Sequence, residues 1–165
     1  MRPVGPAYWI GAAMANTYSQ IYIQIVFAVE SRQNLIDPSN NDQLQKYITG
    51  IVTKQRHKLI AINNMPDHMH ILIGQRPDSA LSSLVGDIKS GSSNFINRQR
   101  WVRGRFNWQE GFGAFSYSRS QLDAVVRYIQ NQQKHHQKRS FRDEYIALPD
   151  KFEVPYDERY IFKPV

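Results

Sequence analysis

The sequence predicts an α+β fold with a largely antiparallel sheet, and three observations carry that reading. Segments rich in β-branched and aromatic residues read as strands, and two of them are joined by the turn-forming Asn64-Met65-Pro66-Asp67. Other segments space their apolar residues as amphipathic helices do. Along the chain the order is βα, ββ, αβ, α, and hairpin-joined strands mixed with helices make a layered α+β domain.

Taken in order, residues 1–15 read as an unstructured leader: Pro3, Gly5, Pro6 and Gly11 interrupt any period, and Met14 opens sequence that at once turns regular. The apolar patch there is too weak for a secretory signal. Residues 16–165 are then one domain, long enough to bury a hydrophobic core. The first strand is QIYIQIVFAV, residues 20–29. After Asp37-Pro38-Ser39, residues 42–56 carry Leu44, Ile48, Ile51 and Val52 at helical spacing, with Tyr47 beside them. Residues 59–63 and 68–74 form the hairpin strands. Ser79 suits the N-cap of a second helix with Leu81, Leu84, Val85 and Ile88, running on to Phe95 and Ile96 with Gly91 unsettling its middle. Residues 106–118 read as a strand with a loop. A third helix spans residues 120–138 on the stripe Leu122, Val125, Val126 and Ile129, and Ser140-x-x-Asp143 opens a short last helix that Pro149 stops.

Composition narrows the partners. Lys and Arg number 21 against 14 acidic residues, a net charge of +7 that favours a polyanion such as nucleic acid or an anionic membrane face over a neutral partner, although an ordinary basic surface has the same charge. The absence of cysteine excludes disulfides and thiolate metal sites and suits a reducing cytoplasm. No apolar run is long enough to span a bilayer.

His68-Met69-His70 is the first candidate for chemistry. On a strand, residues i and i+2 share a face, so the two imidazoles stand side by side while Met69 points away. Such a pair can chelate one divalent cation. By itself the pattern more often marks two satisfied histidines, so a third ligand is needed.

Tyr128 and Gln132 supply the second candidate. Four residues apart on a helix, they stack on one flank at the boundary between core and solvent. Gln132 offers an amide oxygen, a hard donor suited to Mg²⁺ or Mn²⁺. Two histidines and this glutamine make a three-ligand site with open positions beside a phenol. A free phenol, with a pKa near 10, is a poor nucleophile at neutral pH. A metal on the scissile phosphate lets it attack, and the resulting phosphotyrosine stores the phosphodiester energy for strand transfer.

PDHMHILIG, the helix YIQNQ and the trailing FRDEY resemble the HUH single-tyrosine transposases of TnpA type, found in the smallest bacterial insertion sequences. REP-associated tyrosine transposases are close relatives. The resemblance covers about residues 16–162, including WQEGFGAFSYS upstream of the tyrosine helix; it lacks a counterpart for the leader and departs at Pro149-Asp150, where relatives continue the last helix. It implies a ferredoxin-like or RRM-like sandwich, with Tyr128 as the catalytic residue and His68, His70 and Gln132 as ligands to Mg²⁺ or Mn²⁺. It also implies a cytoplasmic bacterial or archaeal transposase that cleaves and rejoins single-stranded DNA with hairpin ends through a 5′-phosphotyrosine. A homodimer is implied too, with one subunit's histidines meeting the other's tyrosine helix.

For holding DNA, the basic candidates are Lys89, Arg98, Arg100, Arg103 and Arg105 near the end of the second helix, with Lys134, Lys138 and Arg139 near the end of the third. Trp101 and Trp108 suit core packing better than base stacking. Two other readings fit the same charge: a non-catalytic RRM-like nucleic-acid binder, and a domesticated relative that nicks chromosomal hairpin repeats.

Overall fold

The structure, a computed structural model, describes residues 17–135. The last predicted helix, with Ser140, Asp143 and Pro149, and the basic residues Lys138 and Arg139 lie outside the described residues, as does the leader. Four strands, β1 (Tyr22–Ala28), β2 (Lys58–Met65), β3 (His68–Gly74) and β4 (Gly113–Tyr117), pair antiparallel in the order β2-β3-β1-β4. Between them run α1 (Asn41–Lys54) and α2 (Leu81–Gln99), and after β4 come α3 (Leu122–Gln130) and the short α4 (Gln132–His135). Through β4 this is the βαββαβ arrangement of ferredoxin-like domains, so the α+β expectation holds.

Side-chain alternation decides which helix covers which face. Ile25, Phe27, Met69, Ile71 and Ile73 turn one face of the sheet towards Leu44, Ile48 and Val52 of α1 and Leu84, Val85 and Ile88 of α2. On the opposite face, Ala61 and Leu72 pack under Val125 and Ile129 of α3. The central strands β1 and β3 are thus covered on both sides, which is why QIYIQIVFAV and HMHILIG read as nearly continuous apolar runs.

Two boundaries differ from expectation, each for a local reason. The first α-helix ends at Lys54 because Arg56 turns left-handed (φ 62°) and the His57 and Arg56 amides donate back to the Val52 and Thr53 carbonyls. Ser79 is not the cap of α2. Its carbonyl accepts the buried Gln75 amide at 2.8 Å, and Ala80 takes the cap position instead. Gly91 does not interrupt α2 either: a Cβ there would meet Ile51 Cδ1 at 2.9 Å, so the glycine lets α1 and α2 approach closely.

The third helix also starts and breaks differently. Ser118 and Gln121 form a capping box around a 3-10 turn at Arg119–Gln121, and the α-helix then runs only to Gln130 before Asn131 interrupts it. Trp108 is buried, its ring edge-on to Phe27 and Phe106 and its indole N–H donating to Ser92 Oγ at 2.8 Å. Half-buried Trp101 packs edge-on against Phe95.

Candidate active site

β3 lies between two strands, and its odd and even residues serve different layers. His68 and His70 share the α3 face with Leu72, so both imidazoles are fully buried rather than lying on the surface. Their rings stand edge to face with centroids 5.1 Å apart. Burial of a polar ring is costly unless its nitrogens are hydrogen-bonded. His68 Nδ1 meets Asp67 Oδ1 at 2.6 Å, and His70 Nδ1 meets the Gln24 amide nitrogen at 2.9 Å.

The tyrosine helix arrives from the other side of that face. Asn63, directly opposite His70 in the β2–β3 ladder, donates its side-chain amide to the Ile129 carbonyl at 2.8 Å, near the place where α3 ends. That contact meets a carbonyl left over at the helix terminus. Beyond Asn131, Gln132 is fully buried and donates its amide to the Tyr128 carbonyl at 3.2 Å, which turns Oε1 towards His68 Nε2, 3.5 Å away. Half-buried Tyr128 lies edge-on to His70, with ring centroids 5.9 Å apart. One chain by itself therefore brings together His68, His70, Gln132 and Tyr128.

The His68–Gln132 contact tests whether the donors suit a cation. An ionised Asp67 can only accept, so the neutral imidazole carries its proton on Nδ1 and turns the Nε2 lone pair outward. Gln132 Oε1 is also an acceptor. Two facing acceptors cannot hydrogen-bond to each other, and at 3.5 Å they favour a positive charge between them. Ligand atoms about 2.1 Å from one ion stand roughly 3–3.5 Å apart at openings between a right angle and the tetrahedral angle. The pair fits. Among the described residues no three His, Cys, Asp or Glu side chains gather as a metal site, so the set depends on the Gln132 amide.

The sequence model of the family described as "Transposase IS200 like" matches residues 17–132, which span every element of the sheet and end on Gln132. This chain belongs to the IS200-like transposase family. Among solved structures, a candidate transposase from Deinococcus radiodurans R1 is similar over 71% of this chain and 94% of its own, at 21% identity and a TM-score of 0.57. A REP-associated tyrosine transposase bound to a REP hairpin is similar over 73% of this chain and 72% of its own, at 17% identity and a TM-score of 0.57. At such identities the likeness is one of fold. No curated protein matches the chain.

In this IS200-like transposase the basic candidates do not gather around the imidazoles. Arg98 in the last turn of α2, and Arg100, Arg103 and Arg105 on the loop that follows, are exposed in the layer on the far side of the sheet. Arg98 and Arg105 line an open cleft of about 530 Å³ with Asn94, Asn97 and Gly104. The loop is pinned by Asn97, whose amide exchanges hydrogen bonds with the Phe106 backbone at 3.0 and 2.7 Å. Lys89 is committed elsewhere: its ammonium donates to the Gln109 and Gly111 carbonyls, and burial lowers its pKa. Lys134 is exposed on α4, on the tyrosine side. No helix among the described residues is long and apolar enough to cross a membrane.

Sequence reasoning missed three residues that hold this cluster together. Asp67 was visible as the neighbour of His68 but read only as a turn former. Gln24 was visible as a polar residue inside an apolar strand, and Asn63 as the last residue of the expected β2. What each touches depends on strand pairing, which no local pattern states.

Proposed function

We propose that this transposase cleaves and rejoins single-stranded DNA at element ends, with Tyr128 as nucleophile and His68, His70 and Gln132 as ligands of Mg²⁺ or Mn²⁺. The observation that carries the reading is the convergence of two buried imidazoles and a buried amide oxygen beside a half-buried tyrosine. That the solved relative is bound to a REP hairpin supports a hairpin-bearing single strand as substrate.

Asp67 and Gln24 hold the two imidazoles in place. Gln132, anchored to the Tyr128 carbonyl, ties the third donor to the turn of helix that carries the nucleophile. A bound divalent ion would neutralise charge on a non-bridging oxygen of the scissile phosphate. Tyr128 Oη attacks phosphorus in line, and the P–O3′ bond breaks. The phenol's proton ends on the departing 3′-hydroxyl, while the 5′-phosphate remains on Tyr128. Attack by another 3′-hydroxyl on that phosphotyrosine restores a phosphodiester and returns the proton to the tyrosine. No water consumes the stored bond, as strand transfer requires. Arg98, Arg100, Arg103, Arg105 and Lys134 would contact phosphates of the bound strand, and a homodimer would carry two such sites.

The test is incubation with 5′- and 3′-labelled hairpin oligonucleotides carrying single-stranded flanks, in Mg²⁺ and in Mn²⁺, resolved on a denaturing gel. A shifted, protease-sensitive band carrying only the 3′-side label supports the reading. Binding without any adduct would make the protein a hairpin binder instead.

A further inference from the structure

Gln24 is fully buried in the middle of β1, in a strand whose other inward residues are apolar. Both ends of its amide are engaged. The nitrogen lies 2.9 Å from His70 Nδ1, and the oxygen accepts the Tyr117 hydroxyl at 2.7 Å. An amide nitrogen has only hydrogens to give, so His70 Nδ1 is the acceptor and the neutral ring carries its proton on Nε2. His68 is the reverse, because Asp67 accepts from its Nδ1. The two histidines of one motif therefore sit in opposite tautomers, although a cation held through Nε2 needs that nitrogen deprotonated in both.

We infer that Gln24 is a positioning residue that sets the His70 tautomer, turning its amide end for end when the site takes up its ion. In the turned orientation Oε1 accepts from His70 Nδ1–H, and the amide nitrogen donates to Tyr117 Oη. A hydroxyl both donates and accepts, so Tyr117 serves either orientation and the same two contacts are kept. A carboxylate in this place would hold one tautomer permanently; an amide allows both. Burial keeps the Tyr117 hydroxyl protonated, with its pKa raised to about 12, so the relay keeps its proton throughout the neutral range. The inference rests on the reading of His70 as a metal ligand.

The test is long-range ¹H–¹⁵N spectroscopy of ¹⁵N-histidine-labelled full-length protein, titrated with diamagnetic Mg²⁺. Without the ion, wild type shows the Nε2–H pattern for His70 and the Nδ1–H pattern for His68; with Mg²⁺, His70 changes to Nδ1–H. Gln24→Glu shows Nδ1–H at His70 before any ion is added and binds Mn²⁺ more tightly in calorimetry. Gln24→Met weakens Mn²⁺ binding about 10–100-fold, the usual range for lost support of a ligand. An Nδ1–H His70 in ion-free wild type, or a tautomer indifferent to Gln24→Glu, overturns the inference. The wild-type spectrum alone decides this should the variant not fold. A tautomer that follows Gln24 while neither imidazole responds to Mg²⁺ upholds the amide's control of His70 and overturns the metal site instead.

Discussion

Gln132 Oε1 lies 3.5 Å from His68 Nε2, across 64 residues of sequence. The contact exists because Asp67 fixes the outward lone pair of His68 and the Tyr128 carbonyl fixes the amide of Gln132. Each partner is aimed by a neighbour, and the proposed metal site would rest on that aim.

Removing the neighbour should loosen the aim. Asp67→Ala is expected to weaken Mn²⁺ affinity about 10–100-fold, as loss of a ligand's hydrogen-bond partner generally does. Calorimetric titration checks this, and unchanged affinity would show that Asp67 does not orient His68.

Asn63 should matter through the tyrosine helix rather than through the sheet. Its amide is buried against the Ile129 carbonyl, and leaving that carbonyl unpaired costs about 1–3 kcal/mol. Asn63→Ala is expected to speed hydrogen exchange across residues 122–134 while the β1–β3 amides stay protected. Uniform protection in both regions would contradict this account of the docking.

Much of this arrangement was legible in advance, and the reasons are physical. The period-2 alternation of HMHILIG put both imidazoles on one face, and the four-residue spacing brought Gln132 back to the Tyr128 carbonyl although the expected continuous helix breaks at Asn131 between them. Both relations are local. The break at Asn131 was not legible, because it depends on Asn63 reaching the end of α3 from another strand. Ser79 failed for a local reason instead: its carbonyl takes the Gln75 side-chain amide four residues back, and Ala80 becomes the cap. Lys89 read as a phosphate contact on charge alone, and only folding showed its ammonium committed to two carbonyls.

Alkaline pH offers a check on the buried relay. Tyr117 titrates near 10 in an unfolded chain and is raised to about 12 in the fold by burial. Its contribution to stability is thus complete below about pH 10 and lost as pH rises through about 12. Urea unfolding between pH 9 and 11.5 should show stability falling with pH, and Tyr117→Phe should flatten that slope. A slope unaltered by the substitution would place the titrating group elsewhere.

His68, His70, Gln132 and Tyr128 meet within one chain, and the proposed chemistry then has a consequence for mixed assemblies. Tyr128→Phe protein mixed with His68→Ala protein should recover no cleavage, since each chain lacks part of its own site. Recovery of activity would mean that the helix is exchanged between subunits on DNA.

The most direct measurement is the identity of the residue that carries DNA. After reaction of wild-type protein with a hairpin oligonucleotide in Mn²⁺, nuclease trimming, proteolysis and tandem mass spectrometry should find a 5′-nucleotide phosphate on the peptide containing Tyr128, and Tyr128→Phe should yield none. A modified peptide bearing another tyrosine, or an adduct that survives Tyr128→Phe, would contradict the account.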